Sequence, residues 1–84
     1  MIKILYFSWV RDAIGVGEEM VDLPSQGGNV ADLSTILAAR SEGHARAFAD
    51  LGRLRCAVDL AMVGFDAPIA GASEIAFFPP VTGG

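Results

Sequence analysis

Chemically versatile side chains are scarce in this chain of 84 residues, which holds one cysteine (Cys56), one histidine (His44) and one lysine (Lys3). A lone cysteine excludes an internal disulfide and a cysteine-based metal cluster. Its apolar, strand-like surroundings read as a buried structural thiol rather than a sulfur relay. His44 stands among Gly and Ala with no partner pattern and reads as a solvated helix-end residue. No nucleophile and base fall into a recognisable pair, so catalysis by the chain alone is not expected. There is no Gly-Lys-Ser/Thr phosphate loop, and Gly15-Val16-Gly17 lacks the third glycine and the preceding strand of a dinucleotide fingerprint.

Positive charge is also in short supply. Six basic residues face ten acidic ones, a net charge of −4, and Arg11, Arg40, Arg46, Arg53 and Arg55 are spread out rather than clustered. Such a chain repels polyanions, which argues against nucleic acid or an anionic membrane as partner. Asp12, Glu18, Glu19 and Asp22 read as a solvated acidic face, or as a steering surface for a basic partner. Long apolar runs are missing: residues 57–65 are broken by Asp59 and Gly64, too short to span a bilayer. Strand-like sequence starts at Met1-Ile2-Lys3-Ile4 without a basic n-region, so no secretory signal is read and a cytoplasmic protein is expected. Neither repeats nor low-complexity segments occur, and the length suits one domain.

The pattern along the chain predicts an α+β fold. Ile2, Ile4 and Tyr6 alternate with Lys3, Leu5 and Phe7 in a largely apolar strand that belongs inside a sheet. Ser8 is the expected cap of a short helix over residues 9–14, ended by Gly15-Val16-Gly17. Residues 18–23 read as a second strand and residues 23–28 as a turn-rich connection. Asn29, with Asp32 three residues on, forms a capping box for the main helix. Val30, Leu33, Ile36, Leu37 and Arg40 share a helical face that should pack on the sheet. Ser41-Glu42-Gly43 breaks this helix, with a further helical turn over 44–50. Strands follow over 54–59 and 60–63, then Gly64-Phe65-Asp66-Ala67-Pro68 as a loop, then a last strand over 73–78. A helix between the first and last strands permits them to pair in parallel at the sheet centre.

The most telling segment is Phe77-Phe78-Pro79-Pro80-Val81-Thr82-Gly83-Gly84. Termini are commonly polar and frayed, whereas this one is apolar, stiff and then bare. Proline lacks an N–H, so Pro79-Pro80 ends the strand ladder and aims residues 79–84 outward over at most roughly 20 Å. Val81 and Thr82 continue that path, and Gly83 removes the side chain next to the Gly84 carboxylate, suiting passage through a narrow channel. A carboxylate reacts with nucleophiles once it is activated, for example as an acyl adenylate, and this chain lacks the means to do so itself. Activation therefore falls to another protein, after which the carbonyl accepts sulfur or an amine. Alternation puts Ile75 and Phe77 on one face and Ala76 and Phe78 on the other. Phe78 is thus a candidate docking anchor beside the tail, the alternative being ordinary packing.

The ending Glu74-Ile75-Ala76-Phe77-Phe78-Pro79-Pro80-Val81-Thr82-Gly83-Gly84, with the opening Ile2-Lys3-Ile4-Leu5-Tyr6-Phe7, Arg11, Val30-Ala31-Asp32-Leu33 and Gly64-Phe65-Asp66-Ala67-Pro68-Ile69, resembles the small subunits of molybdopterin synthase. These belong to the ThiS/MoaD family of ubiquitin-like sulfur carriers. The resemblance implies a β-grasp domain over 1–78 with a diglycine tail over 79–84. It also implies that Gly84 is adenylated with AMP from ATP by an E1-like adenylyltransferase, becomes a thiocarboxylate and enters the large subunit. There it would sulfurate cyclic pyranopterin monophosphate, in an assembly of two small and two large subunits, the small subunit binding no cofactor of its own. Val58-Asp59-Leu60 and Ala72-Ser73 depart from the family's common Val-Asn-Gln and Gly-Asp. A carrier for thiamine or tRNA thiolation, or a modifier joined to target lysines, uses the same tail chemistry.

Overall fold

A computed structural model describes residues 1–23 and 27–80. The first strand, β1 (Ile2–Tyr6), buries Ile2, Ile4 and Tyr6 and turns Lys3 and Leu5 the other way. Its ladder continues one residue further, Phe7 N–H donating to the Phe77 carbonyl at 3.1 Å. The chain must then reverse abruptly into α1 (Ser8–Ile14), and it does so with Ser8 at φ +58. That geometry overturns the expected Ser8 cap: Phe7 occupies the cap position and no side chain caps the helix. At the other end Gly15 adopts φ +100 and donates to the Arg11 carbonyl at 2.7 Å, the left-handed helix stop that the glycine predicted.

After β2 (Glu18–Val21) comes α2 (Val30–Ala38), which opens on the expected capping box. The Asp32 amide donates to Asn29 Oδ1 at 2.8 Å, and the Asn29 amide to Asp32 Oδ2 at 3.0 Å. Val30, Leu33 and Leu37 are buried as expected, but the fourth member of the face is Ser34, not Ile36 or Arg40. Successive residues turn by about 100°, so position 36 lies well off the line joining 30, 33, 34 and 37. Ser34 is accommodated because its hydroxyl donates to the Val30 carbonyl at 2.9 Å. Ser41, expected within a helix break, caps α3 (Glu42–Ala47) instead, and a single 3-10 turn (Leu51–Arg53) follows.

The remaining strands are β3 (Arg55–Val58), β4 (Ala61–Val63) and β5 (Glu74–Phe78), and the five form one sheet in the order β2-β1-β5-β3-β4. β5 is central, parallel to β1 and antiparallel to β3. The crossover needed for the parallel pair is supplied by the helical segments. Asp59 and Leu60 form the two-residue β3–β4 turn, both left-handed at φ +47 and +74, which suits the right-handed twist of a hairpin.

Helical residues Val10, Val30, Leu33 and Leu37 share one core with Ile2, Ile4, Tyr6, Ile75 and Phe77. All helices therefore cover one face of the sheet, the β-grasp arrangement. The opposite face carries a row across the strands, Glu18, Leu5, Ala76, Ala57 and Met62, and beside it Phe78 abreast of Arg55. Among the described residues no helix is long and apolar enough to cross a membrane.

Candidate functional site at the root of the tail

Ile75 and Phe77 are fully buried, whereas Ala76 and Phe78 on the opposite face are half-buried, as alternation predicted. Phe77 is the anchor of the strand end. Its ring stacks on Tyr6 with centroids 6.4 Å apart, meets Phe48 edge-on at 4.9 Å and lies 6.3 Å from Phe65. Pairs of this geometry add about 0.5–1.5 kcal/mol each beyond the burial itself. The backbone at residue 77 is thus held, and the direction of the chain beyond it is set by the core.

Phe78 is the last residue of the ladder, paired with Arg55, and Pro79 and Pro80 lie just past it, half-buried and outside any strand. Proline cannot donate to a ladder, which accounts for the strand ending here. Val81, Thr82, Gly83 and Gly84 lie outside the described residues. A feature that sequence reasoning missed is Phe7. It follows Tyr6, the partner of Phe77, so it falls on the outer face beside Phe78, and it is 48% exposed. Its exposure follows from the β1 alternation, which places 3, 5 and 7 together. The root of the tail is therefore flanked by Phe7 and Phe78 on the open side and by Arg55 abreast of Phe78. Arg55 Nη1 donates to the Leu54 carbonyl at 2.8 Å, and Arg53 lies 4.8 Å over the Trp9 ring.

The sulfur and nitrogen groups sort themselves differently from one another. Cys56 is fully buried, its Sγ donating to the Val63 carbonyl at 3.4 Å. Burial pushes its thiol pKa up, leaving it protonated and unsuited to carrying sulfur. His44 is not the solvated residue its sequence neighbours suggested. It is buried, with Nε2 2.6 Å from Glu19 Oε2 and Nδ1 2.7 Å from Ser41 Oγ. Glu19 likewise leaves the solvated acidic face: Oε2 accepts from the Tyr6 hydroxyl at 2.6 Å, and Oε1 lies 3.4 Å from Arg40 Nη2. Burial alone would raise the Glu19 pKa. Hydrogen bonds from His44 and Tyr6, with the charges of His44 and Arg40, outweigh it and hold the carboxyl below its usual range.

Ser41, His44 and Glu19 superficially resemble a nucleophile, base and acid. The Ser41 oxygen is engaged as the α3 cap, accepting the His44 amide at 3.1 Å, and no pocket is found among the described residues. Nor do three or more His, Cys, Asp or Glu side chains gather for a metal among those residues. At the far end of β5 the two departures from the family pattern turn out to be joined. Asp59 Oδ1 accepts the amides of Ser73 at 2.9 Å and Glu74 at 3.0 Å.

A small five-stranded domain with a held central strand and its helices on one face has the architecture of ubiquitin-like β-grasp domains. The ThiS family model matches residues 4–84, and the chain belongs to that family. The "Molybdopterin synthase sulfur carrier subunit" of Escherichia coli is similar at 43% identity, with all of both chains covered. The protein of the same description from Haemophilus influenzae is 31% identical, again over all of both chains. Among solved structures, SAMP1 from Haloferax volcanii shares the fold with a TM-score of 0.76 at 23% identity, over 99% of this chain and 98% of that one. A putative molybdopterin converting factor subunit 1 from Pyrococcus furiosus aligns with a TM-score of 0.67 at 25% identity, over 95% and 97%.

Proposed function

We propose that this chain is the sulfur carrier subunit of a molybdopterin synthase, acting in the cytoplasm in molybdenum cofactor biosynthesis. The observation that carries the reading is the 43% identity, end to end, to the Escherichia coli sulfur carrier subunit. A Gly84 carboxylate oxygen attacks the α-phosphorus of ATP on an E1-like adenylyltransferase, pyrophosphate leaves, and an acyl adenylate results. A sulfur donor then displaces AMP to give the thiocarboxylate. The tail enters the large subunit, sulfur passes to cyclic pyranopterin monophosphate, and water restores the carboxylate. Two carriers supply the two sulfurs of the dithiolene, consistent with an assembly of two small and two large subunits.

The domain's share of this work is presentation. Phe77 fixes the strand end, Pro79 and Pro80 end the ladder, and Val81, Thr82 and Gly83 are the residues assigned to passage into the partner, Gly83 because it has no side chain. Phe7 and Phe78 offer an apolar seat where a partner meets the root of the tail. Intact mass of the chain co-expressed with its adenylyltransferase and a sulfur donor tests the reading. Replacement of one oxygen by sulfur, mapped to Gly84, is the expected result; an unmodified mass under conditions that thiocarboxylate a known carrier overturns it.

A further inference from the structure

The side chain of His44 is 9% exposed and that of its partner Glu19 is 17% exposed, a placement that solvated surface residues do not take. Four elements meet at this pair. Strand β1 contributes Tyr6, β2 contributes Glu19, the segment after α2 contributes Arg40, and α3 contributes His44 with its cap Ser41. Helix α1 packs on α3 through backbone, Gly43 lying against Ala13 and Ile14, and β5 reaches the cluster through Phe77. The other charged side chains of α3, Glu42 and Arg46, belong to exposed residues. Every buried side-chain polar atom among the described residues has a partner.

Two protonation states fit one set of atomic positions. With neutral imidazole, the Ser41 hydroxyl donates to Nδ1 and Nε2–H donates to Glu19. With imidazolium, Nδ1–H donates to the Ser41 oxygen and the Glu19 contact, a hydrogen bond to a carboxylate in either state, gains the second charge and becomes an ion pair. The contact strengthened in this way ties α3 to the strands. From there the connection to the tail is short: the Tyr6 ring meets His44 edge-on at 6.0 Å and stacks on Phe77 at 6.4 Å, while Phe48, at the end of α3, meets Phe77 at 4.9 Å.

We propose that His44, Glu19 and Tyr6 form a protonation-linked brace for the root of the tail. Taking a proton from solvent, His44 tightens α3 on β1 and β2 through the Glu19 carboxylate; releasing it, the pair loosens the grip of Phe48 and Tyr6 on Phe77. The brace is a property of the domain and stands whether or not the tail carries sulfur.

The test is NMR on the full chain between about pH 5 and pH 8, where histidine titrates. The His44 ring signals and the exchange of two amides are followed together, Phe48 N–H, bonded to the His44 carbonyl, and Phe7 N–H, bonded to the Phe77 carbonyl. Corrected for intrinsic exchange, protection of both falls by about fivefold or more through the His44 midpoint. In Glu19→Gln, which keeps an acceptor without the charge, the step disappears. Protection that ignores the His44 titration, a step that survives Glu19→Gln, or a His44 ring that stays in one state across the range each overturns the proposal.

Discussion

Replacing Asp59 separates two explanations of the β3–β4 turn. Asp59 sits at φ +47, where Asp and Asn are favoured over other L residues, and its Oδ1 accepts the amides of Ser73 and Glu74 at 2.9 and 3.0 Å. Its own amide donates to the Glu74 carbonyl at 2.9 Å and is retained in any substitution except proline. Asp59→Ala removes both side-chain bonds at an exposed site, where water takes over part of the loss, so about 1–2 kcal/mol disappears. Left-handed backbone at an alanine adds about 1 kcal/mol. The sum is about 2–3 kcal/mol. Asp59→Asn keeps an oxygen acceptor and the left-handed preference and should fall within about 0.5 kcal/mol of the parent. With a urea slope near 1 kcal/mol per molar for a domain of this size, the Ala variant loses about 2–3 M in midpoint while the slope stays constant. Equal midpoints for Ala and Asn would overturn this account, because they would mean that the two amides gain nothing from the carboxylate. Thiocarboxylation of the folded Ala variant should match the parent, since the turn lies at the opposite end of β5 from the tail.

Four other outcomes are expected. Gly43→Ala places a Cβ against the Ala13 carbonyl oxygen and 3.3 Å from Ile14 Cα, backbone that cannot swing away, and thermal unfolding should show a loss of about 1–3 kcal/mol despite better helix propensity. The Glu19 pKa is depressed on folding, so its contribution is present above the unfolded carboxylate value and lost as pH falls through the folded one; acid titration of stability below about pH 5 should be steeper for the parent than for Glu19→Gln. Phe7→Asp and Phe78→Asp should each weaken capture of the large subunit by about 2 kcal/mol, roughly thirtyfold, measured by calorimetry with retained far-ultraviolet dichroism. Gly83→Val should leave stability unchanged and block thiocarboxylation or transfer, as read by intact mass and product formation.

Local pattern carried much of the fold. The capping box at Asn29 and Asp32, the Gly15 stop, the β1 alternation and the parallel β1–β5 pair all depend on short-range preferences plus one rule about crossovers. The departures from local pattern share a cause. Ser8 failed as a cap because the β1 ladder extends through Phe7, a fact set by β5 some seventy residues later in the chain. The spacing of apolar residues points Ile36 inward, whereas the helix direction that buries Val30 and Leu37 brings Ser34 in. Phe7 continues an apolar strand in sequence, and its exposure beside Phe78 follows from the helices covering only the other face of the sheet.

The end of the sheet was legible in the sequence: Pro79 and Pro80 cannot donate to a ladder, a matter of covalent geometry that no packing can alter, and β5 stops at Phe78. So was the order of the elements around it. The fate of the charged and polar groups depends on packing between distant elements. His44 meets Glu19 across twenty-five positions, Tyr6 meets Glu19 across thirteen, and Asp59 meets Ser73 across fourteen. A buried charge persists where a partner compensates its lost hydration, and that partner is chosen by how strands and helices stack, beyond the reach of local periodicity.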